Sequence, residues 1–214
     1  MSSSIGSSPI NGAGNPMKTI CVFCGSSYGR QPAYTEAAVQ LGQLMVQQGI
    51  GLVYGGGGVG LMGVIARTIV AGGGQVTGVL PTALMSKELP VAKSLEQNHG
   101  ELILVETMHA RKALMAQRAD AYIAMPGGFG TLDELFEAVT WNQLGVQRKP
   151  IGVLNVAGYF DALLAWIERA VDDGFVSDKY RNMLIVEATP AALLTRLQGD
   201  TPPPGLLQLE SWRA

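Results

Sequence analysis

Seven short apolar runs, at 19–24, 51–54, 75–80, 101–105, 121–125, 151–154 and 183–186, govern what this chain can fold into. They lack the strict polar alternation of a strand with one wet face, so they read as strands buried on both faces. The longer stretches between them, near 33–48, 61–71, 109–118, 132–144 and 160–172, carry apolar residues at helical spacing. Strands alternating with helices imply a parallel sheet covered on both sides. Right-handed crossovers make this an α/β, Rossmann-like, doubly wound parallel sheet in a single domain. Ligands of such sheets bind beyond the carboxyl ends of the strands. Three of those ends are unusual: Gly25-Ser26-Ser27, Gly55-Gly56-Gly57-Gly58 and Pro126-Gly127-Gly128. They lie along one edge and point to one shared site.

The remaining composition narrows the partners. Residues 1–16 are rich in Ser, Gly, Asn and Pro and read as a disordered tail. Residues 17–200 form the Rossmann-like domain, and 201–214, with Pro202, Pro203 and Pro204, read as a loose C-terminal tail. The formal net charge is −2, with no basic stripe, so no nucleic-acid partner is expected. An anionic ligand must then be held locally, by backbone amides and a few placed cations. No run approaches the ~20 apolar residues that span a bilayer, and the N-terminus lacks a signal-peptide pattern. The expectation is a soluble, cytoplasmic protein that does not enter membranes. Cys21 and Cys24 form a CxxC inside a strand-like run, where buried core thiols are expected rather than a redox pair. With only His99 and His109 besides, no metal site is expected.

The run Gly55 to Gly60 contains GxGxxG through Gly55, Gly57 and Gly60, after a strand and before a helix. Glycines there allow a tight turn and close approach of an anion to free helix amides. A dinucleotide site would place an acidic residue at the end of the next strand, but that strand ends Gly78-Val79-Leu80-Pro81-Thr82. No GK[ST] follows the glycines either, so a Walker loop is excluded. Tight helix–sheet packing and phosphate or ribose contact both fit. The second loop is more informative. Gly127, Gly128 and Gly130 supply a ring of amides and Thr131 a hydroxyl, a nest suited to a monophosphate. Glu134 completes Thr131-x-x-Glu134, which by spacing is a helix-capping box.

His109, Arg111 and Lys112 crowd the start of a helix, the positive end of its dipole. A solvated face is one explanation. Ligand binding by Arg111, and more weakly by Lys112, is the other, because this helix start shares the edge with the glycine loops.

Taken in order, Gly55-Gly56-Gly57 with Gly60-Leu61-Met62-Gly63, Met108-His109-Ala110-Arg111-Lys112, and Pro126-Gly127-Gly128-Phe129-Gly130-Thr131-Leu132-Asp133-Glu134 resemble the LOG ("Lonely Guy") family. These are cytokinin riboside 5′-monophosphate phosphoribohydrolases. Thr140-Trp141-Asn142-Gln143-Leu144-Gly145 and the run from Lys149 to Asn155 match as well, and the similarity spans Lys18 to about Ala188. Such proteins have also been called lysine decarboxylases, but no lysine here sits in a recognisable pyridoxal-phosphate setting. The resemblance implies that Arg111 and Glu134 are catalytic, displacing the capping reading of Glu134. It also implies substrate binding by Glu88, Lys112, Thr140 and the loop Gly127, Gly128, Phe129, Gly130, Thr131, Leu132 and Asp133. Ser26, Gly56, Gly57 and Met62, at the other loops, join this candidate site. The segment 89–110, with Pro90, Lys93 and His99, is longer than in plant members, which bears on the base pocket.

The implied activity is hydrolysis of the N-glycosidic bond of adenosine 5′-monophosphates, including N6-modified ones, to free base and ribose 5-phosphate. Neither a metal nor an organic cofactor is expected. A non-catalytic nucleotide or cofactor carrier on the same fold is the alternative, and it would need no Arg111–Glu134 pair. The stretch 132–144 is apolar around much of its circumference. With the family resemblance, this favours a homodimer, a hexamer being the larger option.

Overall fold

The computed structural model describes residues 17–85 and 100–207. Glu88 and His99, residues 89–99 of the longer segment, and the expected N-terminal tail lie outside the described residues. The described elements are β1 (Thr19–Phe23), α1 (Pro32–Gln47), β2 (Gly51–Tyr54), α2 (Gly60–Ala71), β3 (Val76–Pro81) and β4 (Gly100–Val105). They continue with α3 (Met108–Arg118), β5 (Ala121–Ala124), α4 (Phe129–Leu144), β6 (Ile151–Leu154), α5 (Asp161–Asp172), β7 (Leu184–Glu187) and α6 (Pro190–Gly199). All the strands pair in parallel, in the order β4-β3-β2-β1-β5-β6-β7. The doubly wound single domain read from the sequence is the fold observed.

Alternate side chains of each strand feed opposite faces. From β1, Ile20 and Val22 enter a core with α1, α2 and α6, through Leu41, Met45, Leu61, Ile65, Leu193 and Leu197. Cys21 and Phe23 enter the other, with Met115 of α3, Leu135 and Ala138 of α4, and Phe160 before α5. Both cysteines are free thiols buried in these cores, as their place in a strand led us to expect.

The chain leaves β1 in two directions. Strands β2, β3 and β4 extend the sheet one way and β5, β6 and β7 the other. Loops after β1 and β5 therefore diverge to opposite faces, and the crevice between them is where this fold binds ligands. Hydrogen bonds knit its walls together: Gly25 N–H donates to Pro126 O (3.0 Å), and Met62 N–H donates to Gly25 O (3.3 Å).

Two parts of the fold differ from the sequence-based expectation. Helix α6 is not among the elements the sequence periodicity predicts, although Thr189-Pro190 is a sound helix start and Leu193, Leu194 and Leu197 are fully buried at helical spacing. The described part of the C-terminal stretch, 201–207, is docked rather than loose. Leu206 N–H donates to Gln143 O (2.8 Å), Leu207 N–H to Leu144 O (3.1 Å), and Arg148 Nε to Pro202 O (2.6 Å). The carbonyls at the end of α4 thereby gain partners that helix geometry leaves them without.

Gly60 carries the sharpest test of this frame. Its φ is 64°, and a methyl there would overlap the peptide between Ser26 and Ser27. Gly60→Ala is expected to lower stability by at least about 1–3 kcal/mol, from left-handed strain alone. A urea midpoint equal to wild type would show that the β1 and β2 loops need no such close approach.

Candidate functional site

Helix α3 begins at Met108, its first amides capped by Thr107, whose side chain accepts from Ala110 N–H (3.0 Å). Arg111 lies in its first turn, where the helix field disfavours a cation. The sheet supplies the compensation. Arg111 Nε donates to Val79 O (3.2 Å) in β3 and Nη2 to Gly55 O (3.3 Å) just past β2, while Nη1 pairs with Glu134 Oε1 at 3.0 Å. All three guanidinium nitrogens are thus committed, and the group is fixed in place. A methyl on Gly55 would overlap Nη2, so Gly55 makes room for the guanidinium. This is the requirement behind that first glycine, which the sequence left open between packing and ligand contact.

Glu134 is not a capping residue. Helix α4 starts at Phe129 with Gly128 as N-cap, three residues earlier than the sequence indicated. Thr131 then stands inside the first turn, and Glu134 a turn further on, where its side chain meets Arg111 instead of a helix-end amide. Both side chains are nearly buried, at 11% and 9% exposure. Burial raises the Glu134 carboxyl above the ordinary glutamate value, and the Arg111 guanidinium opposes that rise. The result is a carboxylate of heightened basicity beside a fixed cation.

The amide nest is the N-terminus of α4. Amides of Phe129, Gly130 and Thr131 lie in the first turn, where no intrahelical acceptor exists for them. An added Cβ at Gly128 or Gly130 would meet nothing within 4 Å. Neither has a positive φ in this structure. Open space above free amides is what these two glycines preserve. Beside them lies a cavity of about 290 Å³ at the switch point, lined by Ser26, Ser27, Tyr34, Leu61, Gly127 and Tyr159 among others.

The structure therefore gathers most of the residues singled out from sequence. Ser26, Gly127 and Gly128 line that cavity, with Phe129, Gly130 and Thr131 continuing from it into α4. Gly56 and Gly57 are buried behind it, and Met62 covers Gly57, so these two glycines serve packing in the described structure. Leu132 is half-buried. Phe129 is the most exposed of the large apolar residues described, at 94%. Lys112 is already paired: its ammonium meets Asp133 and Glu137, each at 3.1 Å. Burial works against its charge, but these carboxylates outweigh it and hold its pKa above the usual lysine value. Thr140 is exposed, seven residues and ~10 Å of helix beyond Asp133, and the chain does not bring it to the nest.

Sequence reasoning missed the strand-end carbonyls that hold Arg111, and it missed Tyr34 and Tyr159. The carbonyls have no side-chain signature. Tyr159 stands four residues after the matched Lys149–Asn155 run, where the motif reading stopped. Among the described residues, no three His, Cys, Asp or Glu side chains converge to hold a metal ion.

Comparison with known proteins gives this geometry a context. The model of a family described as possible lysine decarboxylase matches residues 62–197. Over 187 residues the chain is 50% identical to a probable cytokinin riboside 5′-monophosphate phosphoribohydrolase of Oryza sativa subsp. japonica, covering 87% of this chain and 74% of the relative. Over 185 residues it is 49% identical to a cytokinin riboside 5′-monophosphate phosphoribohydrolase of Arabidopsis thaliana, covering 86% and 83%. Among solved structures, the molybdenum cofactor carrier protein of Chlamydomonas reinhardtii matches with a TM-score of 0.61 and 19% identity, over 86% of this chain and 99% of that one. At that identity the likeness is one of fold.

The ion pair makes a signed prediction. Because the folded pKa of Glu134 is raised, its contribution to stability is complete below the unfolded-state value and is lost as pH rises through the folded value. Arg111→Met removes the opposing cation and raises that pKa further. The variant should lose about 3 kcal/mol at pH 7, the cost of orphaning a buried charge. The double variant Arg111→Met/Glu134→Gln should recover most of it. Below the ordinary glutamate pKa of ~4.3 the two variants should converge. Urea denaturation at both pH values decides the matter, and equal stability of the two variants at pH 7 would mean that Arg111 does not compensate the Glu134 charge.

Proposed function

The chain belongs to the LOG family, whose model bears the possible lysine decarboxylase description, and on that premise we propose that it hydrolyses the base–ribose bond of adenosine 5′-monophosphates. The observation that carries this reading is the buried Arg111–Glu134 pair, set one helical turn from an open amide nest. A nucleotide carrier needs the nest, but it has no use for a carboxylate held at raised basicity beside a fixed guanidinium.

In the proposed reaction the 5′-phosphate docks on the amides of Gly130 and Thr131 at the start of α4. Lys112 is engaged by Asp133 and Glu137, so phosphate affinity rests chiefly on the backbone. Binding a remote phosphate orients the ribose, and that binding energy is used at the reacting carbon. Loss of the base develops oxocarbenium character there, which a carboxylate stabilises. Glu134 faces this charge and takes a proton from the attacking water, with Oε1 held by Arg111 and Oε2 directed at the reaction. The positive field of Arg111 favours negative charge developing on the departing purine, which leaves as free base by taking back, through water, the proton that Glu134 removed. The products are a free adenine or N6-modified adenine and ribose 5-phosphate, and protein groups and water suffice.

We assign the working form to a homodimer joined through α4 and α5. Phe136 meets Trp166 edge-on at 5.8 Å, and Trp166 is 58% exposed, with Leu132 and Val139 half-buried on the same helix as Phe136. Apolar area of this kind favours a second subunit. The two buried, unpaired thiols suit a reducing compartment, and we place the enzyme in the cytoplasm.

The deciding assay follows base release from AMP and from isopentenyladenosine 5′-monophosphate by chromatography. Wild type should release base, and Glu134→Gln, whose amide oxygen can still accept from Arg111, should fall by at least about a hundredfold while remaining folded. The acid limb of kcat/KM should lie above the ordinary glutamate value, because burial raises this carboxyl. Tight AMP binding without base release would assign the chain to the carriers. Light scattering should find two chains per particle and Trp166→Glu should give one, whereas a monomeric wild type would remove the dimer.

A further inference from the structure

Tyr159 stands on the loop between β6 and α5, and the chain goes to some length to place it. Ala157 before it adopts φ 52°, ψ 31°, and it is the sole non-glycine residue with positive φ among those described. Gly158 follows at φ 71°. Left-handed backbone at alanine persists only where surrounding structure enforces it, and such strain gathers at working sites. Asn155 does the enforcing here. Its Oδ1 accepts from Phe160 N–H (2.8 Å), its Nδ2 donates to Asp161 Oδ1 (2.7 Å), and its own N–H donates to Glu187 O (2.8 Å). The Tyr159 ring is then fixed edge-on between Tyr34 (5.6 Å) and Phe160 (5.0 Å). The hydroxyl so delivered donates to Gly127 O at 2.5 Å.

That bond acts on the anion nest. In a trans peptide the carbonyl and the following N–H point in opposite directions. Fixing Gly127 O therefore fixes the heading of the Gly128 N–H and the entry of the chain into α4. Gly127 has no side chain to do this for itself: a Cβ there would overlap Thr131 Oγ1 and lie 2.8 Å from Gly25 N. The loop must be steadied from outside, and Tyr159 is the side chain that reaches it. The same tyrosine lines the 290 Å³ cavity beside the nest.

We propose that Tyr159 is a positioning residue that holds the Gly127–Gly128 peptide, and with it the first turn of α4, in the orientation that presents the nest amides to a phosphate, so that the enzyme prefers a phosphorylated nucleoside to the bare one. This rests on the phosphoribohydrolase reading of the same site. Its test is Tyr159→Phe, which keeps both ring contacts and removes only the hydroxyl. Loss of one hydrogen bond should raise the KM for AMP roughly three- to tenfold, and the inhibition constant of ribose 5-phosphate by the same factor. The kcat should stay within about twofold, adenosine turnover should not change, and the melting temperature should hold. A fall in kcat with unchanged KM, an equal loss on AMP and adenosine, or kinetics identical to wild type would each overturn the proposal. Calorimetric binding of AMP to both proteins separates this idea from the reading beneath it. Wild type that binds AMP without releasing base removes the hydrolase, and the clamp then stands or falls on the affinity ratio of the two proteins. Wild type that binds no AMP overturns both.

Discussion

A parallel sheet delivers the last carbonyl of every strand, and the loop after it, to one edge, and Arg111 is fastened to that edge. Its guanidinium bridges β2 and β3, through Gly55 O just past the end of β2 and Val79 O inside β3, and reaches across to Glu134 on α4. A cation there offsets several unfavourable terms together: partial negative charge on strand-end carbonyls, the positive start of α3, and a carboxylate that burial would otherwise drive toward neutrality. Removing any one partner leaves the others exposed to the low local dielectric. The pair is therefore a structural joint between the two halves of the doubly wound sheet.

Charge is allotted sparingly along this edge. The chain carries a net charge of −2, and Lys112 is engaged by Asp133 and Glu137. The first-turn amides of α4, under glycines that keep the approach clear, are placed to meet an anion. Such a site discriminates by geometry, because amide donors are fixed in direction where a lysine is a mobile point charge. It also depends on the loop being held still, and the bonds from Gly25, Met62 and Tyr159 serve that need.

The fold was legible because buried parallel strands announce themselves as apolar runs, and all seven runs became strands in one sheet. Helix α6 escaped because it is short and its Thr189-Pro190 start was not weighed against the three buried leucines behind it. Spacing made Glu134 a capping residue. The motif resemblance made it catalytic, and its ion pair with Arg111 accords with the second reading. The difference turned on where α4 begins: glycines at 128 and 130 argue against helix by propensity, yet here they occupy its first positions. Thr140 joins the nest by motif alone and Lys112 by its helix start as well, yet the first is exposed down the helix and the second is already paired. Glu88 falls outside the described residues.

The docked stretch 201–207 has a mechanical consequence. Helix α4 is a rod of ~24 Å, carrying the nest and Glu134 near one end and gripped at the other by Leu206 and Leu207. Gly145 ends it in the left-handed conformation, and Gly205 packs directly against Gly145, so the grip has no slack. From that anchor to Glu134 is ~15 Å of helix, and a tilt of about 2° would carry the carboxylate ~0.5 Å, the tolerance that the proposed role of Glu134 would allow. The last described residues of the chain thus trim the aim of a side chain at the opposite end of the rod, and a substituent attached beside them acts on the crevice through leverage without ever coming near it.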